Sequence, residues 1–259
     1  MGGFQMFEDL HEIFVAQRLG ISYFKLADFS IDRDLSRALN SIQERINEAP
    51  LGVNKRIIQN FDYSTKNREI YLSALIETPV KIKTLIEENQ EIKIIENIQY
   101  QIRTVRVKIN LKNTTMIIFA QGQKEVKEFV RYIRDLTVNR FNPVQIKVNP
   151  GNMKKAIKQY EKVNLLKIIT SESDYTDSIR FGGKDVLTAP FVHEVLNSSQ
   201  NEIVDIFGTK YLSEEKSIKL HLNNRGRIWL YANPDDLTND DLKNLTNDLE
   251  GLYFSGSAE

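Results

Sequence analysis

The chain has 259 residues, 41% of them hydrophobic and 27% charged, which is too apolar for disorder and long enough for two domains of roughly 110–130 residues. It contains no cysteine, which excludes disulfides, thiolate metal sites and cysteine nucleophiles. Its 35 basic and 35 acidic residues balance, but unevenly: residues 61–170 hold 20 Lys/Arg against 11 Asp/Glu (+9), and residues 171–259 hold 8 against 16 (−8).

Residues 1–19 read as an N-terminal extension. Glu8, Asp9 and Glu12 stand where a secretory leader is positive, and no apolar run approaches the roughly 20 residues of a membrane span, so a cytoplasmic protein is expected. The richness in Ile, Lys and Asn suits a bacterial or phage gene. A strand is predicted at Ile21–Ala27, then a helix from Asp32 to Asn47 with Leu35, Leu39, Ile42 and Ile46 on one stripe. Pro50–Gly52 marks a local break. Ile70, Leu72 and Ala74 alternate through a strand at Arg68–Glu77, after which Thr78 and Pro79 have the form of a cap and first residue of a short helix. A strand from Glu91 leads to a long one, Arg103–Leu111, with Val105, Val107, Ile109 and Leu111 facing inward. A turn at Lys112–Thr114 returns it through Thr115–Ala120 to an amphipathic helix, Lys124–Val138.

The C-terminal half repeats this order. Pro143–Val148 reads as a strand, Asn152–Tyr160 as a helix, Ser178–Leu187 as a strand and Pro190 as a helix start. The hairpin of Ile218, Leu220 and Leu222 with Ile228 and Leu230 turns at Asn223–Gly226, and a helix runs from Thr238, capped by Asp241, to Leu252. An offset of 111 brings Pro79, Leu85, Glu91, Tyr100, Asn113 and Ile117 onto Pro190, Leu196, Glu202, Tyr211, Asn224 and Ile228. An offset of 116 then pairs Val126, Phe129, Ile133 and Leu136 with Leu242, Leu245, Leu249 and Leu252. The fold expected is α+β, two tandem pseudo-symmetric β/α units at 20–142 and 143–259, each a mostly antiparallel sheet with helices on one face.

Little in the sequence points to catalysis. His11, His193 and His221 fall on three different elements, so no metal site is expected. No phosphate-cradling glycine loop, nucleophile elbow or cofactor motif occurs, and no cofactor is expected. Arg180–Lys184, with its two glycines, reads as a bulge. The nearest catalytic pattern is Asp62 followed by Glu91–Ile92–Lys93, an acid and an acid–x–lysine as in Mg²⁺-dependent nucleases, weighed against a solvated strand end.

Binding is the better expectation. Arg103, Arg106, Lys108 and Lys112 project from the first hairpin opposite its apolar face. Lys219, Arg225, Arg227, Trp229 and Tyr231 do so from the second, and Lys154, Lys155 and Lys158 add charge between them. Cations mixed with aromatic rings on a sheet face suit nucleic acid; the alternative reading is that the other unit or a partner covers this face, with Trp229 as a packing anchor. The sequence therefore points first to a non-catalytic nucleic-acid binder. An assembly subunit or homo-oligomer joining its basic middle to an acidic C-terminal region is the alternative, and a nuclease centred on Glu91 the third reading.

Overall fold

The computed structural model describes residues 10–14, 17–46, 56–88, 91–170, 177–198 and 201–254; the side chains of His11, Glu12, Glu88, Glu91 and Asp177 lie outside this set. So do the break at Pro50–Gly52 and the last five residues. Among the described residues the fold is mixed α+β, with five helices and one eleven-stranded sheet whose strands pair antiparallel.

In chain order the elements are β1 (Arg18–Leu26), α1 (Ile31–Glu44), β2 (Arg56–Ser64), β3 (Glu69–Glu88), β4 (Glu91–Asn110), β5 (Thr115–Ala120) and α2 (Gln123–Leu136). There follow β6 (Pro143–Gln145), α3 (Pro150–Ile157), β7 (Lys162–Thr170), β8 (Asp177–Gly182), α4 (Pro190–Asn197), β9 (Asn201–Tyr211), β10 (Ser217–Asn223), β11 (Arg227–Tyr231) and α5 (Asn239–Phe254). A 3-10 turn, Leu10–Ile13, precedes them. The sheet order is β2-β3-β4-β5-β1-β11-β10-β9-β7-β8, with β6 beside β1. β1 is the hinge strand of the architecture, because it pairs with β5, β6 and β11 and so ties both halves together. It starts at Arg18, inside the stretch expected to be an extension.

Alternation along β5 shows how the protein is layered. Met116, Ile118 and Ala120 enter one core with Val105, Val107, Ile109 and the α2 stripe of Val126, Phe129 and Ile133. Ile117 and Phe119 enter the other, with Ile218, Leu220, Leu222, Ile228, Leu230 and the α5 stripe of Leu242, Leu245 and Leu249. Successive strand residues point to opposite faces, so the two cores lie on opposite sides of one sheet. Helices α1 and α2 cover the N-terminal half on one side, and α3 and α5 cover the C-terminal half on the other.

Several sequence signals act as expected. Gly226 has φ +71° in the β10–β11 turn, and a Cβ there would stand 2.7 Å from the Ile146 carbonyl oxygen. Thr238 and Asp241 form the reciprocal cap of α5: the Thr238 amide donates to Asp241 Oδ2 (2.9 Å) and the Asp241 amide to Thr238 Oγ1 (3.1 Å). Asn149 caps α3 by accepting from the Gly151 amide at 2.7 Å. The 111-residue register fails at the prolines. Pro190 begins α4, but Pro79 lies inside β3, opposite Tyr100. There is no helix after Thr78, because β3 and β4 continue as a two-stranded ribbon whose outer edge accepts a proline. No helix among the described residues is long and apolar enough to cross a membrane.

Candidate nucleic-acid interface

The two hairpins expected to present cations have different fates. On β4, Arg106 and Lys108 do point away from Val105, Val107 and Ile109, but both are buried. Their strand neighbours Phe119 and Ile117 belong to the α5 core, which also holds Leu10 and Ile13 of the 3-10 turn. Lys108 Nζ sits 3.2 Å from Glu69 Oε1 and 3.9 Å from Glu250 Oε2 on α5, and Thr115 Oγ1 donates to Glu250 at 3.3 Å. This is a structural ion cluster. Of the two readings of this face, open or covered, Arg106 and Lys108 follow the second: α5 and the N-terminal turn occupy it. Lys112 is exposed at the β4–β5 turn. Arg103 is held by Gln121 and, at 3.4 Å, by Glu125 of α2.

The second hairpin is open. Its apolar residues face α3 and α5, and the opposite face of β11, β10, β9 and β7 is half-exposed. Antiparallel register sets its side chains in rows. One row runs Gly20, Trp229, His221 and Phe207 across β1, β11, β10 and β9. A second runs Arg18, Tyr231, Lys219 and Thr209. The third runs Ser22, Arg227, Asn223, Asp205, Lys167 and Arg180.

Trp229 is fixed from two directions. The guanidinium of Arg18 lies over its ring, 4.6 Å from the centroid. Gly20 lies beneath the same ring, where a Cβ would come 2.5 Å from Cζ3. A groove of about 750 Å³ opens beside it, lined by Lys167, Asp205, His221, Arg225, Arg227 and Trp229 among others. Phe207 helps to wall an adjoining depression of about 520 Å³. Its ring meets those of His221 and Tyr231 edge-on, with centroids 6.2 and 5.8 Å away.

Asp205 is the carboxylate of the groove floor. Burial acts to raise its pKa, but hydrogen bonds from His221 Nε2 (3.1 Å) and Asn223 Nδ2 (2.6 Å), with the charge of Lys167, bring it below the usual carboxylate range. Arg227 is lowered from its ordinary value, first by burial and then by Arg225. At the rim, Glu202 is engaged by Lys147 (3.0 Å) and Asn224 (2.9 Å). Arg18, Lys167, Arg180, Lys219, Arg225 and Arg227 thus outnumber the acids on and around this face.

No protein-family model matches the chain, and no curated protein matches it.

The remaining expected residues lie elsewhere. Lys154, Lys155 and Lys158 belong to α3 and its C-cap, on the covered side of the sheet, with Lys154 donating to the Ser198 carbonyl at 3.3 Å. The nuclease pattern is not brought together. Asp62 faces Tyr71 near the base of β3, whereas Lys93 faces Ile86, fifteen positions farther along that strand, or about 50 Å of extended chain. No His/Asp/Glu group among the described residues is arranged to hold a metal ion. Sequence reasoning missed Arg18, Gly20, Asp205 and Phe207; alternation along Asn201–Tyr211 carried the signal for Asp205 and Phe207.

Proposed function

We propose that the protein is a non-catalytic nucleic-acid binder that uses the open face of β1, β11, β10, β9 and β7. The observation that carries this reading is Trp229 under the Arg18 guanidinium, on a face flanked by Arg225, Arg227 and Lys219. Cations neutralise phosphates, and a guanidinium plane laid on an indole takes a base on its outer side, so single-stranded nucleic acid, whose bases have a free face, fits better than duplex. Most of this face comes from the acidic region of the sequence, with Arg18 of β1 and Lys167 of β7 added from outside it, and not from the basic hairpin Arg103–Lys112.

The same reading includes a fused pseudo-dimer. β4, β5 and α2 follow one another as do β10, β11 and α5, and the two halves bury opposite faces of one sheet. The alternative of salt-bridged assembly between basic and acidic regions has less support, because Lys108–Glu250 and Lys147–Glu202 join those regions within one chain.

The test is fluorescence anisotropy with labelled single- and double-stranded oligonucleotides over a salt series. Wild type should bind the single strand more tightly at low salt, and Arg225→Ala with Arg227→Ala should reduce the salt slope by about two. Absence of binding at roughly 50 mM salt overturns the proposal.

A further inference from the structure

The ribbon formed by β3 beyond Ile76 and β4 before Arg103 belongs to neither core. Among the described residues these two stretches pair only with each other, leaving both outer edges open. A two-stranded ribbon is marginal in water by itself. This one is also apolar on the outside. Ile92, Ile94, Ile98, Tyr100 and Ile102 alternate along one face of β4, each between 48% and 73% exposed. Leu85, paired with Ile94, adds to it, whereas Ile86 and Ile95 lie on the ribbon's other face. Six such side chains on one face, each offering on the order of 100 Å², present roughly 600 Å². That is the upper end of the largest patch of an ordinary monomer (about 300–600 Å²), and contributed by each of two copies it reaches the roughly 1,200 Å² total at which standard interfaces begin.

We propose that this ribbon is a self-association arm through which two copies of the chain form a symmetric dimer. The charges on the stripe select a second copy over other occupants. Glu96 interrupts it and is bridged by Lys83 (3.1 Å) and Lys81 (3.6 Å) from the facing strand. A carboxylate in mid-stripe opposes burial in lipid, and an arm carrying both signs offers nucleic acid no net attraction. A two-fold contact brings the same patch together from both sides, so a face holding both signs complements its own copy. The open edge of β4 adds backbone donors and acceptors for strand pairing across the axis.

Sedimentation velocity from about 1 to 100 µM tests the arm, using wild type, Ile94→Glu/Ile98→Glu and, at the far end of the ribbon, Ile92→Lys. The wild type should sediment at twice the 30.0 kDa chain mass, and both variants should dissociate at concentrations about 100-fold higher, with unchanged thermal midpoints. Ile92→Lys decides the matter if the double variant fails to fold. A wild type that stays monomeric to 100 µM, or a folded variant that dimerises as tightly as wild type, overturns the proposal. So does a monomeric wild type that floats with phosphatidylcholine vesicles, which would assign the arm to lipid. Arg225→Ala/Arg227→Ala should dimerise as wild type does, which keeps this result separate from nucleic-acid binding.

Discussion

Arg18 and Trp229 face each other across the β1–β11 seam, with the guanidinium 4.6 Å from the centre of the indole. Trp229 pairs directly with Gly20, so the ring rests where any other residue would place a Cβ. One seam therefore joins the two halves of the chain and presents the ring on the open face of the sheet. Its integrity bears on stability and function together.

Gly20→Ala should disturb both. The added methyl would meet Trp229 Cζ3 at 2.5 Å and the Ala120 backbone oxygen at 2.8 Å, so the ring must move and the β1–β5 pairing must stretch. Overpacking of this kind costs about 1–3 kcal/mol. Urea denaturation should show that loss, accompanied by a red shift of Trp229 emission as the ring leaves Arg18.

The two-core arrangement makes a prediction about additivity. Phe129 and Leu245 are both buried, one in each core. Phe129→Ala should cost about 3–5 kcal/mol and Leu245→Ala about 2–5. Because no cluster contains both, the double variant should lose their sum to within about 0.5 kcal/mol in denaturant titrations.

Lys108 should behave as a structural cation. Lys108→Met leaves Glu69 and Glu250 facing each other in a half-buried site, a loss of about 3–5 kcal/mol by thermal or chemical unfolding. Lys112→Glu, at an exposed turn, should change stability by less than about 0.5 kcal/mol.

Asp241 predicts an acid limb. Its hydrogen bond from Lys216 and those from Thr238 hold its pKa at about 2, below the ~3.9 of an unfolded aspartate. A depressed folded-state pKa means stability that is whole above about pH 5 and drains as the pH falls towards 2. Asp241→Asn should flatten the stability profile across that window and leave the slope above pH 5 unchanged.

What the sequence revealed depended on how local each signal was. The β10–β11 turn, the α5 cap and the inward faces of β4 and β10 follow from nearest neighbours, and each was legible. Pro79 was not, since Thr-Pro opens a helix as readily as it sits on an unpaired strand edge. Nor was the burial of Arg106 and Lys108. Their alternation is identical to that of His221 and Trp229, and the difference lies in α5 and Leu10–Ile13, which reach across the sheet from opposite ends of the chain. The charge gradient misled for the same reason. Many acids of the C-terminal region gather on α5 and in turns, while Arg225 and Arg227 line the open groove beside Asp205.

Trp229 is the single tryptophan of the chain, so its emission reports on the proposed interface without labelling. The central claim is tested by titrating the protein with oligo-dT at about 50 mM salt while following that emission. The account predicts saturable quenching, reversed by added salt and weakened by Arg225→Ala/Arg227→Ala. Binding that leaves the emission unchanged, or no quenching at any salt concentration, would contradict it.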